Sequence, residues 1–132
     1  MAEQRAFVAI PASQVDPELR RSARLAGEIG TDRLGISNVL LVWVLPESGT
    51  PDRPGTARHV QPGTWSGWVY DDDPGSRVYV RADMPRHVMP TVLHELRHLA
   101  QLRDHGTFDE DDAEQWAQRV MQTPLQGVTP CP

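Results

Sequence analysis

A chain of 132 residues with 39% hydrophobic content has the size and apolar share of one ordinary domain, 1–132, able to bury a core without disulfides. Its single cysteine, Cys131, has no partner, which excludes a disulfide framework or a cysteine-built zinc site and points to a reducing compartment. A net charge of -5, with the arginines scattered, argues against nucleic acid as a partner, and no stretch approaches the length of a membrane span.

Residues 1–10 carry one charge of each sign and only a short apolar run, too little for a secretory signal, so a cytoplasmic location is expected. Residues 6–10 read as a strand, and 17–29 have helix-forming composition that should end near Gly30. The run VLLVWVL at 39–45, bounded by Asn38 and Pro46, reads as a central buried strand because it is continuous, apolar and rich in β-branched residues. Residues 47–63 are rich in Pro, Gly, Ser and Thr and form a long loop, the segment expected to shape substrate choice. Residues 65–70 and 77–81 form a predicted hairpin across Asp71, Asp72, Asp73, Pro74, Gly75 and Ser76; the three aspartates lack the ligand spacing of a calcium loop and read as a solvated turn. Pro90 sits where a helix would start, 91–105 continue it to the breaker Gly106, and Asp109 caps a second helix to about Met121. The residues 122–132 are a Pro-rich tail expected to fray.

The chemistry is concentrated in His94-Glu95-Leu96-Arg97-His98, an H-E-x-x-H sequence. Residues four apart on a helix share a face, so both imidazoles can reach one ion, with Glu95 beside it. A zinc ion in such a site lowers the pKa of a coordinated water, and the glutamate takes the proton as the water attacks a polarised carbonyl. Chance would give the pattern in roughly one shuffled chain in a hundred, so its surroundings matter. Val92, Leu93, Leu96, Leu99, Ala100 and Leu102 fall on one arc of the helix and His94, His98, Gln101 and His105 on the opposite one, as a ligand-bearing amphipathic helix requires.

A third ligand is available. If the two last helices form a tight antiparallel pair, the roughly 10 Å climb from the end of the first helix back to His98 takes about seven residues, which places Glu114 within a turn of His98. The second helix buries Ala113, Trp116, Ala117 and Val120, with Glu110 and Glu114 along the border of that arc. Glu114 is the predicted ligand; Glu110, one turn earlier, replaces it if the link is longer. Asp104 has the spacing of a metzincin third ligand, but the helix continues through Gln101 where that class has glycine, and His105 lies about 10 Å from His98 along the axis. Tyr70, Tyr79, His59 and His87 are weaker candidates for stabilising an oxyanion. Trp43, Trp65, Trp68 and Trp116 are assigned to the core.

The run Thr91-Val-Leu-His-Glu-Leu-Arg-His98, preceded by Val78-Tyr-Val80 and followed by Glu110-Asp-Asp-Ala-Glu114-Gln-Trp-Ala117, resembles the minimal gluzincin type of zinc metallopeptidase, including small ImmA-like and phage-associated members. The likeness covers about the last third of the chain. It implies an α+β, zincin-like core: a small twisted mixed sheet packed on an N-terminal helix and the H-E-x-x-H helix, with a C-terminal helix supplying the third ligand. It implies one zinc per chain, held by His94, His98 and a glutamate, with Glu95 as general base and a peptide or protein as substrate. Members often carry a Glu with an acidic residue or Asn four positions later, which Glu110 and Glu114 match, and they bind an extended peptide by edge pairing, carried over here to 78–81. The chain departs from the pattern at Arg97, where a small residue is common. It also has no helix-turn-helix region that would suit a repressor-cleaving role. A monomer is the default expectation. The alternatives are a catalytically silent zinc-binding regulatory or interaction module of the same fold, and a metal-free interaction protein in which the motif is coincidental.

Overall fold

The computed structural model describes residues 7–46, 66–69 and 76–122. Strand β1 (Phe7–Ile10) leads through a short 3-10 turn into helix α1 (Pro17–Leu34), followed by β2 (Leu40–Pro46), β3 (Gly67–Trp68), β4 (Arg77–Arg81), α2 (Val88–His105) and α3 (Glu110–Gln122). Among the described residues the fold is α+β, with a small mixed sheet and three α-helices. The strand order is β1-β2-β4-β3, with β2 parallel to β4 and the two outer pairings antiparallel. The predicted hairpin pairing holds, with Gly67 opposite Val80 and Trp68 opposite Tyr79. Its connection, the loop 47–63 and the tail 123–132 lie outside the described residues, as do His59, Trp65, Tyr70 and the three aspartates. No helix among the described residues is long and apolar enough to cross a membrane.

The end of α1 differs from expectation. Asp16 caps its start by accepting from the Glu18 N–H at 2.8 Å, and Pro17 occupies the first turn, where its missing N–H costs nothing. The helix passes through Gly30 and stops at Gly35, whose φ of 67° is left-handed and closes the last turn. Gly30 is a crossing point instead: a Cβ there would stand 2.6 Å from Leu96 Cδ1 and 3.2 Å from Leu93 Cδ2. The stripe Leu19, Ala23, Ala26, Gly30 and Leu34 repeats every three or four residues, and its small members let α1 lie close against α2.

Strand β2 is buried less evenly than its composition suggests. Trp43 and Val44, on opposite faces, are both buried, while Leu40 at the start is 55% exposed. The inward alternation of β2 and β4 sets Trp43 beside Val80, and these residues join Val78, Val88, Val92, Leu93, Leu96 and Ala100 in one core cluster. Helix α2 packs against α1, α3, β3 and β4, so its burial extends beyond the apolar arc to Thr91, Glu95, His98 and Gln101.

Replacing Gly30 by Val should lower unfolding stability by about 1–3 kcal/mol, since the added branches must displace two fully buried leucines. Denaturant midpoints of the two chains measure it.

Candidate metal centre

His94 and His98 occupy successive turns of α2, and their rings meet edge to face with centroids 4.7 Å apart. His98 is fully buried, with Phe108 from the α2–α3 link packed on it at 4.6 Å, while His94 is partly open. The two Nε2 atoms lie 3.1 Å apart, and Glu110 Oε1 lies 2.9 Å from the first and 3.2 Å from the second. Three donor atoms thus form a nearly equilateral triangle. Donors held at zinc's usual bond lengths in a tetrahedron are about 3.3 Å apart, so little movement would let all three ligate one ion. His94, His98 and Glu110 form a cluster that could hold a metal ion.

The local charge favours a cation. Burial alone would push the His94 imidazole down, but the Glu110 hydrogen bond and the charges of Glu95, Glu110 and Glu114 outweigh it and hold the ring above its ordinary value.

The carboxylate brought to the imidazoles is that of Glu110, where the sequence pointed to Glu114. The reason lies in the link 106–109. Gln101 pairs with the backbone of Asp109, donating from Nε2 to its carbonyl at 3.0 Å and accepting its N–H at Oε1 at 2.9 Å. The link therefore returns a full turn along α2 before α3 begins, and α3 starts level with Gln101 rather than with His105. A shift of about four residues follows, which exchanges Glu114 for Glu110. Asp109 caps α3 as expected, accepting the Asp112 N–H at 3.0 Å. Glu114 is 60% exposed, with Oε1 at 3.4 Å from His94 Nδ1, the ring nitrogen pointing away from the cluster. Asp104 pairs with Arg103 at 2.8 Å, and both Asp104 and His105 are exposed and apart from the cluster.

Glu95 is only 5% exposed and lies beneath β3. A Cβ on Gly67 would collide with Thr91 Cγ2 and stand 3.0 Å from the Tyr79 carbonyl and 3.2 Å from Glu95 Cγ, so only glycine lets this strand lie on the helix. The Ser66 and Thr91 hydroxyls, 2.6 Å apart, fasten the same contact. Strand β4 is paired on both flanks, by β2 and by β3, so 78–81 is not the edge expected, and among the described residues β3 is the outermost strand on that side. Tyr79 is half-buried in β4, and His87, exposed in the 3-10 turn 85–87, does not join the cluster. Trp43 and Trp68 are buried as assigned, and Trp116 is half-buried with the Arg97 guanidinium 5.6 Å above its ring.

Sequence reasoning missed a second group beside the site. Arg97 grips Asp112 with two hydrogen bonds, 2.7 and 3.2 Å, and Gln101 Nε2 donates to the same carboxylate at 2.8 Å. These bonds tie α2 to α3 and hold the Asp112 carboxyl down at about 2, with Arg97 the main cause. The only signal in the sequence was a charge of each sign on facing helices, which periodicity alone cannot pair.

In comparisons with protein-family models, with curated proteins and with solved structures, no match to this chain is found. The chemistry must therefore be argued from the cluster itself.

Because the folded Asp112 carboxyl lies below its unfolded value, its contribution is complete above about pH 4 and is lost as pH falls towards 2. In metal-free protein, Asp112→Asn should be less stable than wild type at neutral pH by up to about 1 kcal/mol, a figure reduced for solvent screening of a side chain about one-third exposed. The gap should close across the window from pH 4 to 2. Denaturant titrations at a series of pH values test this, and a gap that does not change with pH would contradict it.

Proposed function

We propose that this chain is a zinc-dependent peptide hydrolase built on a zincin-like core, with one zinc held by His94, His98 and Glu110 and with Glu95 as general base. The observation that carries the reading is the convergence of two imidazole nitrogens and a carboxylate oxygen within 3.2 Å of one another, the imidazoles belonging to the histidines on either side of a buried glutamate. Two nitrogens and one oxygen from three side chains match the donor set of catalytic zinc, which leaves a further position for water or substrate. The arrangement of an edge strand across the H-E-x-x-H helix and a C-terminal helix bearing the third donor supports the likeness to minimal gluzincins. Bound zinc would supply Lewis acidity, polarising a carbonyl and acidifying water.

The chain's own residues supply the rest. Glu95 is adjacent to His94, and its carboxylate would accept a proton from the attacking water and return it to the leaving amine. Glu114, near Nδ1 of His94, would orient that ring from outside the ligand set. An extended peptide or protein would lie beside α2 as substrate. A cytoplasmic, monomeric enzyme belongs to the same proposal.

One observation favours the silent module as a second reading: Glu95 is covered by β3, and a base needs access to its water.

Zinc analysis after reconstitution should find one ion per wild-type chain, loss in His98→Ala and Glu110→Ala, and retention with affinity weakened about 10–100-fold in Glu114→Ala. Glu95→Gln should keep the metal and lose peptide hydrolysis by about 10²–10⁴-fold. A wild type without zinc ends the metal reading. Zinc at full occupancy with no turnover across a broad peptide library leaves the silent module.

A further inference from the structure

Gln101 contributes none of the three donor atoms, yet its buried carboxamide is bonded at both ends. The two ends can be told apart from the backbone they face. The Asp109 N–H can only donate and the Asp109 carbonyl can only accept, so the amide oxygen faces the first at 2.9 Å and the NH2 group faces the second at 3.0 Å. The Asp112 carboxylate, paired with Arg97, accepts from the same NH2 at 2.8 Å. Turning the amide over would set donor against donor and acceptor against acceptor at all three contacts. Gln101 Oε1 also lies 2.8 Å from His98 Nδ1. Since that oxygen has no hydrogen to give, Nδ1 must carry the proton. A neutral imidazole protonated at Nδ1 has its lone pair on Nε2, where it accepts from the His94 Nε2–H at 3.1 Å; that same N–H reaches Glu110 Oε1 at 2.9 Å, so the 3.2 Å between His98 Nε2 and Oε1 is the approach of two acceptors around one shared proton.

We infer that Gln101 is a positioning residue of the metal centre: anchored by Asp109 and Asp112, its carbonyl holds the proton of His98 on Nδ1 and so presents the Nε2 lone pair to the cluster. The consequence for metal affinity rests on the proposed function, whereas the tautomer is a property of the chain alone. This role also differs from that of Glu110. Glu110 supplies a donor atom, while Gln101 determines which nitrogen of a buried ring can act as one. The same side chain sets the start of α3, so one residue governs both the histidine and the carboxylate sides of the triangle.

Two variants separate positioning from mere support. Gln101→Ala removes the acceptor and the helix anchor together. Gln101→Glu keeps an acceptor for His98 and for the Asp109 N–H, but loses the NH2 and sets a second carboxylate against Asp112. In the full-length, metal-free chain at alkaline pH, long-range proton–nitrogen NMR correlations report the His98 tautomer. Wild type and Gln101→Glu should show Nδ1–H, and Gln101→Ala should shift towards Nε2–H. Zinc affinity, read by competition with a chromophoric chelator, should fall in the order wild type, Gln101→Glu, Gln101→Ala, with the last weakened about 10–100-fold. Thermal stability should place Gln101→Glu at or below Gln101→Ala, because of the paired carboxylates. Gln101→Glu binding zinc more tightly than Gln101→Ala while being no more stable supports positioning. The same order of the two variants in both measurements, or a wild-type His98 carrying its proton on Nε2, overturns it. If Gln101→Ala does not fold, the wild-type tautomer and its retention in Gln101→Glu still decide. A wild type that binds no zinc but shows the Gln101-dependent tautomer removes the zinc reading and supports this one.

Discussion

Helix α2 is enclosed by α1, by the sheet and by α3, and everything at the site follows from that enclosure. A helix covered on so many sides must be apolar over most of its circumference, which leaves a single strip for polar side chains. His94, Glu95, His98 and Gln101 share that strip or border it, and Glu95, His98 and Gln101 are buried there. Buried polar groups are tolerated only when paired, so each demands a partner from a neighbouring element. For His98 and Gln101 that demand fixes where α3 must begin. The site is therefore a consequence of completing the burial of α2 as much as a feature added to it.

The carboxylates illustrate how one short helix serves two purposes. Ala113, Ala117 and Val120 form the buried stripe of α3. At about 100° per residue, Glu110 and Glu114 fall on one flank of that stripe and Asp112 on the other. The first flank faces the imidazoles, with Glu110 against both Nε2 atoms and Glu114 near the far nitrogen of His94. The second flank faces Arg97 and Gln101. The guanidinium thus holds Asp112 in a clamp and keeps its charge away from the cluster. Arg97 joins α2 to α3 through its contacts with Asp112 and Trp116.

Much of this was legible in the sequence, for reasons that are local. The H-E-x-x-H spacing requires only helix geometry to bring two histidines together, and the caps at Asp16 and Asp109 are single-residue signals with direct hydrogen-bond consequences. The hairpin pairing of β3 with β4 followed from alternation and turn chemistry. What failed depended on contacts between distant residues. Gly30 reads as a helix end by composition, and only the presence of Leu96 against it shows why glycine is needed inside the helix. The edge of the sheet could not be assigned to β3 rather than β4 without the strand order. The choice between Glu110 and Glu114 turned on how far the link climbs, which is set by a side chain bonding to backbone eight residues away.

That last contact also bears on how the site could be assembled. Three carboxylates raise the proton affinity of His94, and the same charges would favour a cation among the three donor atoms. The burial of α2 and the contacts of Gln101 with Asp109 place the members of the cluster through residues that are not themselves among its donor atoms. Gln101 touches both the fold and the cluster, since it bonds the start of α3 and the far nitrogen of His98.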